Sequence, residues 1–437
     1  MGHAGWGGRD RRCPVGPPRA LLRPASGTEK DGYKNFAGNA RLKIALGDAL
    51  SLDLRGYYIH ADLDYDSFFG PPADSADIAK LDQYVGYAGL NLALFDGRFT
   101  SRAAVTWLRN DRDYYFVRGT APDYGYSGSN LRFEYQGVVA PTRQAKLIFG
   151  YEHERPDYDF FGFGSTESHR ADIDSVYALG IVQPFAGLSL TGGVRHDDHS
   201  QFGGATTFGA NANYSPNGGA TNFRASYGEG FKAPSLYQLY DTYSRNPTLR
   251  PERSKSYDFG IDQSLADGRA IISLTAFLRN TTDQINYDNS AFKYGNIDRT
   301  RAKGVEATLA LRPVDALNVT ASYSYIDARD RSGRPGFDGK RLPRRAEQAI
   351  SLSADYDWSF GLSTGATLTL VGDSFDDAAN LVPLDGYALA GVRASFPVGG
   401  HVEIYGRVDN LFDADYATAS GYGVYGRAAY GGVRLSF

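Results

Sequence analysis

The sequence predicts an all-β chain, and more specifically a transmembrane antiparallel β-barrel. Apolar and polar residues alternate in stretches of about ten residues from Tyr33 to the end of the chain, which is typical of barrel strands with one apolar and one polar face. Short and long connections also alternate between these stretches. Membrane barrels show the same asymmetry, with tight turns at one rim and long loops at the other.

The composition agrees with many strands joined by tight turns. The 437 residues include 52 glycines, 31 tyrosines and 25 phenylalanines, but a single cysteine. One cysteine excludes a disulfide framework and a cysteine metal site. A net charge of −4 provides no basic surface, so nucleic acid is excluded as a partner. No group of residues forms a catalytic constellation, and we expect no enzymatic activity.

The strands are recognised by their period of two. Helical periodicity is nearly absent, and only residues 72–83 ("PADSADIAKLDQ") are compatible with a short helical turn inside a loop. Segments with clear alternation are "ALSLDLRGYYIHA" (49–61), "TNFRASYGEGF" (221–231), "SYDFGIDQSL" (256–265), "GVEATLALRP" (304–313), "NVTASYSYID" (318–327) and "HVEIYGRVDNLF" (401–412).

Nine short and nine long connections join about nineteen predicted strands. The short ones are 46–48, 96–97, 140–142, 184–187, 215–219, 265–268, 313–316, 357–361 and 397–400. The long ones are 62–83, 109–127, 152–170, 196–203, 231–253, 281–299, 327–345, 372–385 and 411–425. Bacterial single-chain barrels have even strand numbers, so we expect at least one strand to be missing before the first visible one at about 33–45.

The first thirty residues differ from the rest. Residues 1–30 mix Gly, Pro and Arg densely and show no alternation. They also lack the apolar core of a signal peptide. We interpret them as a mis-started or non-homologous segment that is disordered, with a flexible basic tail as the alternative, and residues 31–437 as a partial barrel domain.

Several motifs resemble the TonB-dependent receptors of Gram-negative outer membranes. The motifs are "RASYGEGFKAPSLYQLY" (224–240), "NPTLRPERSKSYDFGI" (246–261), "KGVEATLAL" (303–311), "DNLFDADY" (409–416) and "YGRAAYGGVRLSF" (425–437). The family barrel has twenty-two strands around an N-terminal plug domain. The resemblance therefore implies that three strands and the plug are missing here, and with the plug the segment that the energising partner TonB grips.

Within this family the order and spacing of the segments resemble the cobalamin receptors most closely, including "YDNSAFKYGN" (287–296) and "SYSYIDARD" (322–330). The resemblance implies an outer-membrane receptor for TonB-dependent uptake of a large scarce nutrient, with cobalamin first and a ferric siderophore as the alternative. A passive porin-like or structural barrel is the rival interpretation. We do not expect the fragment to transport alone.

The resemblance also implies a location and partners. We expect a monomer in the outer membrane, in contact with membrane lipid and lipopolysaccharide and inserted by the barrel assembly machinery. The terminal alternation of Val433, Leu435 and Phe437 resembles the signal that this machinery reads. Arg224, Glu229 and Lys232 are expected to face the lumen.

Aromatic side chains in the external loops are the candidate ligand contacts, because they supply large contact area at low entropic cost. For a single aromatic residue, a place in the girdle at the lipid headgroups is the alternative. The candidates are Tyr65, Phe68, Phe69, Tyr158, Phe160, Phe161, Tyr287 and Tyr294.

An acidic loop is the candidate for a calcium site. Ca²⁺ takes six to eight oxygen ligands in irregular geometry, and cobalamin receptors use calcium to order such loops. A solvated acidic loop without bound metal is the alternative. The candidate ligands are Asp31, Asp64, Asp66, Asp74 and Asp77.

Overall fold

The computed structural model describes residues 32–65, 75–288, 291–422 and 424–436. Within these ranges the chain forms one antiparallel sheet of 20 strands and a separate pair of two-residue strands. The predicted all-β class is therefore confirmed. Among the described residues, no helix is long and apolar enough to cross a membrane.

The strands follow one another in sequence order around the sheet, and each is hydrogen-bonded to the next except that β8 pairs with β6 and β20 pairs with β17. Their bounds are β1 Tyr33–Ala45, β2 Leu50–Tyr65, β3 Asp77–Leu94, β4 Phe99–Tyr115, β5 Tyr124–Val139, β6 Ala145–Gly162, β7 Ser165–Arg170, β8 Ile173–Val182, β9 Leu188–His199, β10 Gly203–Tyr214, β11 Thr221–Lys232, β12 Glu252–Leu265, β13 Ala270–Asp288, β14 Lys293–Leu311, β15 Leu317–Asp330, β16 Gln348–Asp357, β17 Ser363–Val371, β18 Ser374–Phe375, β19 Pro383–Leu384, β20 Tyr387–Pro397, β21 Val402–Asp409 and β22 Ala428–Leu435. In the described part of the chain one short helix, α1, spans Leu236–Tyr240.

The number of wall strands agrees with the sequence. β7 and β8 both pair with β6. β7 pairs with its residues 157–162 and β8 with its residues 145–154. They are two pieces of one wall strand, so the 20 strands of the sheet make the nineteen that were predicted. The short turns join the strands at the rim opposite the long connections. In these turns Gly97 and Gly268 take positive φ values of 81° and 85°, which glycine adopts without strain.

The two faces of the sheet differ in chemistry because successive side chains of a strand point to opposite sides. One face, called the outer face here, carries large apolar side chains open to the surroundings, such as Trp107, Phe259 and Leu274 with exposed fractions of 41%, 58% and 46%. A soluble protein rarely exposes so large an apolar area. The outer face therefore has the character of a lipid-facing surface.

The opposite or inner face carries paired charges instead. A ladder of alternating basic and acidic side chains crosses the inner face from β4 to β9, with ion-pair distances between 2.6 and 3.4 Å. Opposite charges on adjacent strands stabilise a sheet where like charges would not. The members in spatial order are Arg102, Glu134, Arg132, Glu152, Arg195 and Asp197.

Two expectations from the sequence are wrong. Residues 72–83 contain no helical turn in their described part, because β3 begins at Asp77. The one helix of the described residues, α1, lies elsewhere and was not predicted. Glu229 lies on the outer face, where it pairs with Lys255 at 3.1 Å. Arg224 and Glu229 are five positions apart in one strand, so they cannot share a face.

The terminal strand, β22, alternates between the two faces. Val433 and Leu435 lie on the outer face, each 58% exposed, while Arg434 lies on the inner face and pairs with Glu403 at 2.6 Å. Phe437 is outside the described residues. The role of this segment in assembly stays a prediction.

The face assignment predicts unequal effects on stability for two adjacent positions in β13. Leu274→Arg places a charge on the apolar outer face and should lower the free energy of unfolding by about 2–4 kcal/mol if the site is near the bilayer midplane. Ser273→Arg places the same charge on the inner face opposite Asp262 and should change it by about 1 kcal/mol or less. Urea unfolding in lipid vesicles measures both, and equal losses would contradict the assignment.

Candidate functional site

The connection between β11 and β12, residues 233–251, folds back against the inner face, and we call it the strap. It contains α1, which begins at a capping box. The Ser235 hydroxyl accepts from the Gln238 amide at 3.2 Å, and the Gln238 side chain accepts from the Ser235 amide at 3.0 Å. This reciprocal pair fixes the start of a helix that would be too short to form alone.

One side of the strap packs on the wall made by β5 to β7. Leu236 lies in a buried cluster with Tyr124, Tyr158 and Phe160. The Tyr240 ring stacks on His169 of β7 with 3.7 Å between ring centroids. Burial of this apolar area holds α1 against the inner face.

The other side of the strap is attached to the hairpin of β13 and β14. Leu249 packs with Ile285 of β13, and the Arg250 guanidinium contacts Asp283 at 2.6 Å and Asp298 at 2.9 Å. The Asn246 side chain donates to the Tyr294 carbonyl at 2.9 Å. Five strands, β8 to β12, separate the two attachment walls in the sheet order. The strap therefore bridges distant parts of the wall on its inner side.

Asp241 organises the centre of the strap. Asp241 is one of the most deeply buried residues in the described part of the chain, with 1% exposure. One carboxylate oxygen accepts from the Ser244 amide and hydroxyl at 2.8 and 2.7 Å and from the Tyr243 amide at 3.2 Å, and the other accepts from the Tyr126 hydroxyl at 3.2 Å. A buried carboxylate needs such donors to offset its desolvation. Asp241 thereby ties the strap to β5.

Five tyrosines form what we call the tyrosine basin, at the junction of the strap with both walls. Tyr237 of α1 is its centre, with ring-centroid distances of 5.6 Å to Tyr126, 6.0 Å to Tyr158 and 6.2 Å to Tyr294. Tyr287 lies 5.2 Å from Tyr294. Tyr237 and Tyr287 are each 37% exposed, so the basin offers ring surface to a bound molecule.

The hydroxyl of Tyr237 is neutral at physiological pH. Burial, and next the charge of Asp241, raise the pKa of Tyr237 to about 12, because both disfavour a phenolate. The basin therefore presents hydroxyl groups and aromatic faces, and no negative charge from this residue.

Two arginines add positive charge close to the basin. Arg112 lies on the inner face of β4, directly opposite Tyr126 in register, and Arg245 follows Ser244 in the strap. Both are exposed. Within the described ranges neither guanidinium makes an ion pair or a hydrogen bond. They are therefore available to an anionic group.

The predicted ligand contacts fall into separate places. Tyr287 and Tyr294 belong to the basin, and Tyr65 lies on the inner face 5.8 Å from the Tyr114 ring. Tyr158 and Phe160 lie beneath α1 with exposures of 6% and 1%, so they support the basin from below. Phe161 is on the outer face, opposite Gly125 in register. Phe68 and Phe69 are outside the described residues.

Sequence reasoning missed Tyr126, Tyr237 and Asp241. Two signals in the sequence could have found them. Ser235 followed three positions later by Gln238 is a capping-box pattern, and it places Tyr237 on a helical turn. Strand parity places Tyr126 on the same face as Arg132, which belongs to the charge ladder.

The proposed calcium ligands are not brought together where the structure describes them. Asp64 lies on the outer face and pairs with Arg118 at 2.5 Å, whereas Asp77 is on the inner face and 7% exposed. No group of three or more His, Cys, Asp or Glu side chains among the described residues could hold a metal ion. Asp31, Asp66 and Asp74 are outside the described residues, so calcium binding stays a prediction.

A family model described as "TonB dependent receptor-like, beta-barrel" matches residues 4–411. The match begins inside residues 1–30, which the sequence analysis set apart. The structure describes nothing before Gly32, so the boundary at residue 31 stays a prediction.

Solved structures with the same fold include three receptors. The ferric enterobactin receptor of Pseudomonas aeruginosa matches with a TM-score of 0.78 and 18% identity, covering 96% of this chain and 71% of that one. The siderophore receptor PiuA of Acinetobacter baumannii matches with a TM-score of 0.76 and 17% identity, covering 94% of this chain and 76% of that one. The ferric-catecholate import receptor Fiu of E. coli K12 matches with a TM-score of 0.75 and 17% identity, covering 93% of this chain and 75% of that one. At these identities the likeness establishes the fold alone.

Removal of the charge of Asp241 should release the strap. Asp241→Asn keeps the size of the side chain but replaces one of the two carboxylate oxygens with an amide group that cannot accept a hydrogen bond. The donors that contact two oxygens of Asp241 are then left with one acceptor, and an unsatisfied buried donor costs about 1–3 kcal/mol. Amide hydrogen exchange in residues 233–251 should therefore accelerate about tenfold or more.

The matched control is Asp315→Asn. Asp315 pairs with Arg269 at the opposite rim with its side chain 89% exposed, so exchange in the strap should not change. Unaltered exchange in Asp241→Asn would show that the carboxylate does not hold the strap.

Proposed function

This chain belongs to the TonB-dependent receptor-like β-barrel family, and we propose that it captures a large metal chelate at the tyrosine basin for TonB-energised uptake. The family consists of receptors and transporters of Gram-negative outer membranes and not of enzymes. The basin is the observation that carries the proposal. It combines exposed aromatic rings, an unpaired cation on the adjacent strand and a strap fixed at both ends.

The chemistry of the basin suits a bulky, partly apolar ligand. Tyrosine supplies a wide, rigid contact surface at a low cost in side-chain entropy. Four of the five rings are supplied by two walls that the strap brings together, so the surface is preorganised. Preorganisation reduces the ordering cost of binding.

Ferric siderophores are the first candidate ligands. Many ferric chelates are anionic, and Arg112 and Arg245 offer guanidinium groups without a partner in the described structure. The solved structures of similar fold include receptors for ferric enterobactin and for other siderophores. The likeness to these structures is one of fold alone. The evidence for an anionic ligand that comes from this chain itself is the two arginines.

Cobalamin is the second candidate. The segments "YDNSAFKYGN" and "SYSYIDARD" resemble the cobalamin receptors in order and spacing, and the first of them supplies Tyr287 and Tyr294 to the basin. Cobalamin is large and partly apolar, and its amide groups would meet the tyrosine hydroxyls. This candidate does not need the two arginines.

The proposed partners follow from the family. We expect TonB as the energising partner only through the plug domain of the family, lipid and lipopolysaccharide at the outer face, and the barrel assembly machinery reading Val433, Leu435 and Phe437. A monomer and an ordering role for Ca²⁺ belong to the same set of proposals. A passive porin-like barrel is the rival function, and conductance in planar bilayers without tight ligand binding would favour it.

Replacement of the central ring should weaken ligand binding. Tyr237→Ala removes the side chain that touches three other tyrosines, and we expect the dissociation constant for the true ligand to rise about tenfold or more. Isothermal titration of the purified chain in detergent with ferric enterobactin and with cyanocobalamin measures the effect and ranks the two ligands.

Tyr257→Ala is the matched control, because Tyr257 is 47% exposed on the outer face and should leave binding unchanged. Failure of both ligands to bind the unaltered chain, or equal losses in the two variants, would contradict a binding role for the basin.

The charge of Arg112 should separate the two ligand classes. Arg112→Gln removes a guanidinium group that an anionic chelate would contact and that a neutral cobalamin would not. We therefore expect weaker binding of a ferric catecholate in this variant, most clearly at low salt, and no change for cyanocobalamin. Equal loss of both ligands would assign Arg112 a structural role.

A further inference from the structure

The outer face carries two groups of side chains with the same arrangement. In the first group, Tyr58 and His60 lie on β2 and Asp82 lies on β3. The Tyr58 hydroxyl donates to Asp82 Oδ1 at 2.7 Å, and His60 Nδ1 contacts the same oxygen at 2.9 Å. Asp82 thereby fixes the orientation of the imidazole ring and leaves Nε2 as its free edge.

The second group repeats this geometry on β6 and β8. The Tyr151 hydroxyl donates to Asp174 Oδ1 at 2.6 Å, and His153 Nδ1 contacts it at 3.0 Å. In both groups the free Nε2 faces a second carboxylate. His60 Nε2 lies 3.7 Å from Asp62 Oδ1, and His153 Nε2 lies 3.7 Å from Asp172 Oδ1.

One difference separates the two groups. Two positions after the histidine, the second group has Arg155, whose Nε donates to Asp172 Oδ1 at 2.9 Å. The first group has Asp62 itself at that position, and its Oδ1 is shielded from solvent without a hydrogen-bond partner. A cation already satisfies the carboxylate of the second group, whereas the carboxylate oxygen of the first group is unsatisfied.

We propose that His60 Nε2 and Asp62 Oδ1 bind a divalent transition-metal ion such as Zn²⁺ on the outer face. Two ligands of one tetrahedral ion with bond lengths of about 2.0–2.1 Å lie about 3.4 Å apart, so the observed 3.7 Å needs only a small adjustment. A metal-binding histidine usually donates its other ring nitrogen to a carboxylate, and Asp82 supplies that carboxylate. Tyr58 in turn positions Asp82.

The site is built from two protein ligands. The described residues contain no group of three or more side chains that could hold a metal ion, so the remaining coordination positions belong to water or to oxygen atoms of the surrounding lipid headgroups. Such a site binds the ion on the flank of the barrel, separately from the basin on the inner face.

The charges around the site come from three neighbouring strands. Lys34 of β1 and Lys80 of β3 lie opposite Asp62 in register, and the Lys80 ammonium is placed over the Tyr115 ring at 4.9 Å. Asp111 and Asp113 face the same side from β4. With Asp62 and Asp82 counted, the named groups are four carboxylates and two lysines, so an acidic excess adds to the attraction of the ligand pair for a cation.

The test is a titration of the purified full chain in detergent with Zn²⁺, followed by calorimetry. His60→Gln and Asp62→Asn should each abolish the tightest binding event. Asp82→Asn should weaken it about tenfold, as the loss of an orienting carboxylate does at other sites.

The second group provides the matched controls. His153→Gln should leave Zn²⁺ binding unchanged, because Arg155 already occupies the carboxylate there. Arg155→Met should add a second binding event by freeing Asp172. Far-ultraviolet circular dichroism confirms that each variant is folded. Unchanged binding in both His60→Gln and Asp62→Asn, or an equal loss in His153→Gln, would overturn the proposal.

Discussion

The whole structure depends on one constraint, the alternation of side chains along strands that are hydrogen-bonded to their neighbours throughout one sheet. In a membrane every backbone amide and carbonyl must find a partner within the protein. Between the two edge strands β1 and β22 the strands of this sheet supply those partners to one another, and the outer edges of β1 and β22 have no paired strand among the described residues. The alternation then separates two environments. Trp107 and Leu274 lie on the apolar outer face, while the ladder that includes Arg132 and Glu152 stays on the inner face.

This constraint also explains how the basin is made. Only inner-face positions can be reached by a connection that folds inward, and on β5 and β6 these positions are tyrosine and phenylalanine near the loop end and charged residues further down. The strap covers the aromatic part. Asp241 supplies the polar attachment that aromatic packing lacks, so the basin combines apolar contact with a fixed orientation.

The fold was predictable because a period of two is a local signal that needs no knowledge of contacts. Nineteen wall strands and the alternation of short and long connections could be read directly from the residues. The basin could not, because it joins Tyr237 of the strap to Tyr126 and Tyr294 on strands far apart in sequence. Glu229 was misplaced among inner-face residues, and the outer-face position of Phe161 was not foreseen, because single positions were assigned without following strand parity.

The central claim is that a large metal chelate binds on the inner face at the tyrosine basin. The most direct measurement is a crystal structure of the chain with ferric enterobactin, with the iron located by its anomalous scattering. The account predicts an iron peak beside Tyr237 and Tyr287, within reach of Arg112, and an ordered strap. An iron position away from these residues, with the basin empty of ligand, would contradict it.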